Sequence, residues 1–329
     1  MPPFSPAAHA QTARRLTDAA ARACAPWIGA ADKDAADAAA VAALREGGAS
    51  EALRGIVVIG EGEKDDAPYL APGTQVGPDE GASQVDIAVD PLEGTRLVAE
   101  DAPGALSVLA LAPAGCLMRL GRAFYMEKII GPPSVQGRLG LGASPRSVVA
   151  AVAAAEGVPR SAVRVAVQER PRHAALVEAL RDAGAQVRLF ADGDLSFALL
   201  ALQERGVASG RTDAPIDLLW GIGGAPKGML AAAAQRVLGG VVRARLAPRS
   251  EAERTRLHDD PALPGVLDRT FTARDLVQTD AVAMALTGVT DGPLLRGLRA
   301  HGEGHRTETL VLTPDAGPRR VVTSPDDWP

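Results

Sequence analysis

Residues 163–194 read VRVAVQERPRHAALVEALRDAGAQVRLFADGD. The alternating apolar run at 163–168 predicts a strand. Pro171 suits the first turn of a helix that runs to Gly184. QVRLF (186–190) predicts a second strand, and 193–204 a second helix. The alternation continues with IDLLW (216–220), a Gly-rich turn and a helix over 228–238. Strands that alternate with helices in this way define a layered α/β domain.

Upstream, strands dominate. Residues 11–25 predict a helix, and 35–46 an Ala-rich second one ending at Gly47-Gly48. GIVVIG (55–60) reads as a buried strand, and VDIAVD (85–90) as a strand stopped by Pro91. Residues 105–112 and 122–130 predict further strands. An Ala-rich helix ending at Gly157-Val158-Pro159 places a boundary near 145–160, and the expected halves are 1–155 and 156–329. Near the C-terminus, 280–286 and 308–313 predict strands, the latter pairing with 318–323 through an Asp-Ala-Gly-Pro turn. The polar, proline-bearing segment 247–265 is expected at the surface.

Composition narrows the function classes. The chain has 329 residues, 47% hydrophobic and 23% charged, so a folded protein with a real core is expected. Its net charge of −5 argues against coating nucleic acid, which needs a basic excess. No apolar run reaches the ~18 residues of a membrane span, and MPPFSPAAHAQTARR lacks the pattern of a signal peptide. Cys24 and Cys116 fit neither a metal knuckle nor a paired redox motif. A cytoplasmic protein is expected. Only four of the 35 basic residues are lysine (Lys33, Lys64, Lys128 and Lys227), and each lies in a motif described below.

Three acidic clusters sit at the ends of predicted elements. They are Asp32-Lys33-Asp34-Ala35-Ala36-Asp37, then Glu61-Gly62-Glu63, then Asp90-Pro91-Leu92-Glu93-Gly94-Thr95. A short apolar strand delivers its terminal carboxylate to a fixed point, and the proline and glycine turn the chain so that Asp90 and Glu93 can face one spot. Oxygen ligands in such a cluster suit hard divalent cations, with water and phosphate filling the other positions. Two such ions clamp the attacking and leaving oxygens of a phosphoryl transfer. The Thr95 hydroxyl is placed to orient water.

The strings GEGEKDDAP (60–68), VDIAVDPLEGT (85–95), YMEKIIGP (125–132), PRH (171–173), DGD (192–194), WGIGGAPKG (220–228) and TGVTDGPLLRG (287–297) occur in this order. Together they resemble the class II fructose-1,6-bisphosphatases, of the lithium-sensitive sugar and inositol phosphatase superfamily, from about residue 12 to about residue 325. The resemblance implies an αβαβα layered fold with a metal-binding first half, a substrate-binding second half and the active site in the cleft between them. It implies a phosphatase that removes the 1-phosphate of fructose 1,6-bisphosphate in gluconeogenesis, with one or two Mg²⁺ or Mn²⁺ ions per chain. A homo-oligomer, dimer or tetramer, is expected. By the same resemblance Asp37 and Glu61 look like ligands of one metal, and Asp90 and Glu93 like ligands of a second. Glu93, Gly94 and Thr95 look like substrate contacts, with Thr95 helping to activate water, and Lys33 falls at an active-site lysine. Tyr125, Arg170, Arg172, Asp192, Gly193, Asp194 and Gly224 fall at substrate-binding positions.

The chemistry of these residue types agrees. Arginines at a helix start favour phosphate, although arginine is common on this chain's surface. Asp192-Gly193-Asp194 has the acceptors to hold sugar hydroxyls or to cap a helix. His173 is expected to pack or hydrogen-bond rather than catalyse.

One position departs from the family. Its string usually reads Gly-Gly-Ala-Pro-Glu-Gly, the glutamate binding the second metal, and here Lys227 stands there. An ammonium cannot ligate a metal. It carries the same local charge of +1 as a carboxylate plus a divalent ion, so Lys227 can stabilise developing phosphoryl charge directly. Lys227 is therefore a catalytic candidate beside Thr95, Asp37 and Lys33. The alternatives are a phosphatase of another sugar or inositol phosphate, such as sedoheptulose 1,7-bisphosphate, and a sugar-phosphate binder that has lost catalysis.

Overall fold

The computed structural model describes residues 4–51, 53–60, 70–77, 84–121, 123–205, 216–260 and 265–327. Its helices and strands, in chain order, are α1 (Pro6–Ala23), α2 (Lys33–Ser50), β1 (Gly55–Ile59), β2 (Gln75–Val76), β3 (Val85–Glu93), α3 (Thr95–Ala99) and β4 (Leu106–Pro113). Then come β5 (Tyr125–Gly131), α4 (Pro145–Glu156), β6 (Arg164–Gln168), α5 (Ala174–Asp182), β7 (Gln186–Phe190), α6 (Asp194–Ala201), β8 (Leu218–Gly224), α7 (Ala225–Leu238), β9 (Val241–Leu246) and α8 (Glu251–His258). The chain closes with β10 (Phe271–Thr272), α9 (Ala273–Leu276), β11 (Ala283–Gly288), β12 (Arg299–His301), β13 (Gly304–Thr313) and β14 (Gly317–Thr323). The result is a mixed α/β protein with two mixed sheets. No helix among the described residues is long and apolar enough to cross a membrane.

Packing divides the chain into two compact units, Met1–Arg119 with Val277–Pro329, and Leu120–Leu276. The first unit carries an eight-stranded sheet ordered β12-β13-β11-β4-β3-β1-β2, with β14 paired to β13. Helices α1 and α2 pack on one another and on this sheet. Their starts are written locally. Ser5 caps α1 before Pro6, and Asp32 caps α2 by accepting from the Ala35 N–H at 3.0 Å. Asp32 of the first acidic cluster therefore serves as a cap. A buried polar seam ties α1 to the sheet: Asp18 accepts from Thr309 at 2.6 Å and Thr287 at 3.2 Å, and all three are fully buried.

Two expectations need correction. Strand β3 does not stop at Pro91 but runs through it to Glu93. The pairing with β4 shifts register between Asp90 and Glu93, and an interruption of the ladder is where a residue without an N–H is tolerated. The surface segment 247–265 also contains helix α8, capped by Ser250, which accepts from Glu253 N–H at 3.1 Å.

The second unit carries a six-stranded sheet ordered β10-β9-β5-β8-β6-β7. β6 runs parallel to both β7 and β8, whereas β5 is antiparallel to β8 and β9. Ile129, Val165, Val167, Leu218, Trp220 and Val241 join the apolar faces of α4 and α5 in one core cluster. Alternation sends the equally buried Ile130, Leu219 and Val242 to the opposite face. Helices α6 and α7 pack against β5 and β8. Each fully buried Leu or Ile here contributes about 1.5–3 kcal/mol of burial free energy.

Candidate active site

In the first unit Asp90, Glu93, Gly94 and Thr95 lie together at the end of β3, while Lys33 and Asp37 lie on α2. Asp90 and Glu93 are 4% and 3% exposed, so both carboxylates lie in the interior. Gly94 then takes a left-handed conformation at φ 85°, caps α3, and puts Thr95 at the first helical position. A side chain at 94 would be strained by that φ and would also meet Leu97. Asp37 is half-buried on α2, close enough to Cys24 to help raise its thiol pKa to about 12, an effect due first to burial. Cys24 is therefore a protonated, buried thiol. Cys116 is the other free cysteine, half-buried. Lys33 is exposed and pairs with Asp34 at 2.5 Å. Glu61 lies outside the described residues. Among those described, no three His, Cys, Asp or Glu side chains gather tightly enough to hold a metal ion.

The donor chemistry nevertheless fits a hard cation. Asp37, Asp90 and Glu93 offer oxygen alone, and two interior carboxylates three residues apart concentrate negative charge that positive charge must balance.

In the second unit, strand direction does the assembling. β6, β7 and β8 are parallel, so their C-terminal ends share one edge of the sheet. Antiparallel β5 begins at that edge, with Tyr125 directly opposite Gly224. β9 ends there too, since Leu246 lies opposite Met126. Arg170 and Arg172 follow β6, Asp192-Gly193-Asp194 follow β7, Gly224 ends β8 and Lys227 lies just beyond it. All the expected second-unit residues thus meet at the C-terminal edge of a parallel segment, the usual place for ligands in such sheets.

The contacts there are specific. Arg170 Nη2 donates to Asp192 Oδ1 at 3.0 Å, and Gln168 Nε2 donates to the same oxygen at 3.1 Å. Arg172 is pinned by its Nε and Nη2, which donate to the Ile222 carbonyl at 3.1 and 2.8 Å. Its guanidinium lies 5.8 Å from the Tyr125 ring centroid, and that of Arg249 lies 5.0 Å from the same centroid. Burial lowers the Arg172 pKa, and Arg249 and Arg170 lower it further, as expected where cations converge. Gly193 repeats the device of Gly94: φ is 82°, and it caps α6 so that Asp194 opens the helix. The Lys227 side chain folds over Gly224, where an added Cβ would meet its Cδ at 3.3 Å. A cation in the first turn of a helix opposes the macrodipole, a placement that an anion at the same end would offset.

The sequence reading of the site did not name Gln168 or Arg249 at this edge, and it noted Lys128 only as a lysine within a motif. Gln168, Lys128 and Arg249 make the contacts that orient it, and His173 is a structural linchpin. Lys128 was marked by its place in YMEKIIGP and as a lysine in an arginine-rich chain, and His173 hydrogen-bonds as expected. His173 Nδ1 pairs with the Gln168 carbonyl at 2.7 Å, and Nε2 accepts from Ile222 N–H at 2.8 Å. This arrangement fixes a neutral ring. Burial lowers its pKa from 6.5, with the positive charge of Arg172 and Arg170 adding to the effect. Below pH 6.5 the unfolded chain takes up a proton here that the folded chain refuses, so stability falls as pH drops. His173→Gln is expected to flatten the fall in melting temperature between pH 7.5 and 5.5. An unchanged slope would assign the acid sensitivity to other groups.

The profile of the family described as bacterial fructose-1,6-bisphosphatase, glpX-encoded, matches residues 8–325 of this chain. The chain belongs to this family, whose members are phosphoric monoester hydrolases, and membership implies a divalent metal cofactor. A Synechococcus protein named D-fructose 1,6-bisphosphatase class 2/sedoheptulose 1,7-bisphosphatase is 37% identical, over 93% of this chain and 92% of the relative. A protein of the same name from Crocosphaera subtropica is 36% identical over the same shares.

Proposed function

We propose that this protein hydrolyses fructose 1,6-bisphosphate to fructose 6-phosphate and inorganic phosphate, in the cytoplasm and in the service of gluconeogenesis. The convergence of Arg170, Arg172, Tyr125, Asp192, Asp194 and Gly224 on one sheet edge, in a chain of this family, carries the reading. The arginines bind phosphate. Asp192 and Asp194 accept hydrogen bonds from sugar hydroxyls across Gly193, and the Gly224 backbone allows close approach. In the first unit Glu93 and Gly94 contact substrate, and Thr95 orients the water whose oxygen attacks phosphorus. Lys33 and Asp37 assist the proton and charge balance as the sugar oxygen leaves.

Asp37 and Glu61 would hold one Mg²⁺ or Mn²⁺ tightly, and Asp90 and Glu93 would hold a second only weakly. When bound, such ions supply Lewis-acid stabilisation of phosphoryl charge. The Lys227 ammonium supplies positive charge where relatives of the resembled type carry glutamate. We also assign a homo-oligomeric state.

The names of the relatives favour a second substrate, sedoheptulose 1,7-bisphosphate. The deciding experiment is phosphate release from both bisphosphates, and from inositol phosphates, by purified protein with and without Mg²⁺ or Mn²⁺. Release from fructose 1,6-bisphosphate that depends on the metal is the expected result. Binding without release in every condition would make the chain a non-catalytic sugar-phosphate binder.

A further inference from the structure

Lys128 lies on β5 with its side chain 3% exposed, and its Nζ sits 2.6 Å from Asp194 Oδ2. The same ammonium donates to the Gly224 carbonyl at 3.4 Å. One cation therefore ties together the start of α6, the turn into α7 and strand β5. The chain makes room for it. A Cβ on Gly223 would fall 2.6 Å from Asp194 Oδ2 and 3.1 Å from Lys128 Nζ.

Stability alone is a poor reason for this arrangement. A buried ion pair is often no better than apolar residues of equal volume. Nor is the choice of lysine incidental in a chain where only four of 35 basic residues are lysine. The compact ammonium fits against Gly223, where a planar guanidinium would need more space.

We propose that Lys128 is a positioning residue for sugar recognition. It fixes the direction of the Asp194 carboxylate and the height of the Gly224 carbonyl, and so sets the face that meets the sugar hydroxyls. This inference rests on the function proposed above and extends it to a residue that touches no substrate.

The test is a cycle of Lys128→Met, Asp194→Asn and the double variant, each compared with wild type. Steady-state phosphate release from fructose 1,6-bisphosphate and equilibrium binding of that compound are the readouts, with circular dichroism and melting temperature as fold controls. Lys128→Met is expected to raise KM tenfold or more while kcat falls less than threefold. In the Asp194→Asn background the same change is expected to shift KM less than threefold, since Lys128 acts through Asp194. If Lys128→Met does not fold, the double variant, which buries no lone charge, provides the comparison with Asp194→Asn. Unchanged KM in Lys128→Met, with loss only in melting temperature and active fraction, overturns the proposal and leaves a structural ion pair. Additive effects on KM overturn it as well. A wild-type chain that neither binds nor hydrolyses the bisphosphate overturns the proposed function, and this inference with it.

Discussion

Asp90→Asn is expected to lower phosphate release from fructose 1,6-bisphosphate by about 100-fold or more, with KM changed far less. The substitution keeps the shape of the side chain and removes its charge. Asp90 is 4% exposed at the end of β3, where the chain bends through Pro91 and brings Glu93 into the interior as well. Charge held in so dry a place is worth far more than at the surface. Losing several kcal/mol of transition-state stabilisation costs roughly tenfold for each 1.36 kcal/mol. The carboxylate is not required for the strand itself, because the ladder pairs backbone groups. The melting temperature is therefore expected to stay within a few degrees, or to rise as buried negative charge is relieved. A variant with more than a tenth of wild-type activity would remove Asp90 from the chemistry.

Lys227→Met carries the second large effect. If the ammonium stabilises phosphoryl charge, its loss is expected to lower kcat by about 100-fold, the order seen when a preorganised donor is removed from a transition state. The stem of Lys227 lies over Gly224 at the head of α7, and methionine preserves that apolar stem. Folding is therefore not expected to suffer. Metal stoichiometry gives an independent reading. Equilibrium dialysis with Mn²⁺ is expected to find fewer than two tightly bound ions per active wild-type chain, and one more in Lys227→Glu. Two tightly bound ions per active wild-type chain would sink the stand-in role of Lys227.

How much of this was legible in the sequence differs from element to element. The alternation of β6, α5, β7, α6, β8 and α7 is local, and short-range periodicity exposes it. The hairpin of β13 and β14 was legible for the same reason: its turn residues sit between two strand-like segments, and Thr313 does pair with Gly317. The passage of β3 through Pro91 was not, because tolerance of a proline depends on what the neighbouring strand does at that point. The order of the first sheet was equally hidden. β11 lies between β4 and β13, and pairing across so long a separation leaves no local mark. At the candidate site, the motif residues stood out because glycines, prolines and charges gather at strand ends. Arg249 did not, since it lies in a polar loop, and Lys128 was marked as a rare lysine within a motif without a role being legible from its mid-strand place. Only the direction of β5 and the end of β9 bring them to the same edge.

The place of β11 also sets a schedule for the nascent chain. β4 ends at Pro113, and its outer neighbour begins only at Ala283. At about 5–20 residues per second, a ribosome needs on the order of 10–30 s to make the intervening chain. For that interval β4 presents an apolar edge with nothing yet synthesised to cover it, the sort of edge on which strands of other chains add. The segment Leu120–Leu276, by contrast, emerges whole and in order. The first sheet can therefore be completed only after the chain of the second unit has been made, and its β4 edge stays open until the last four strands appear.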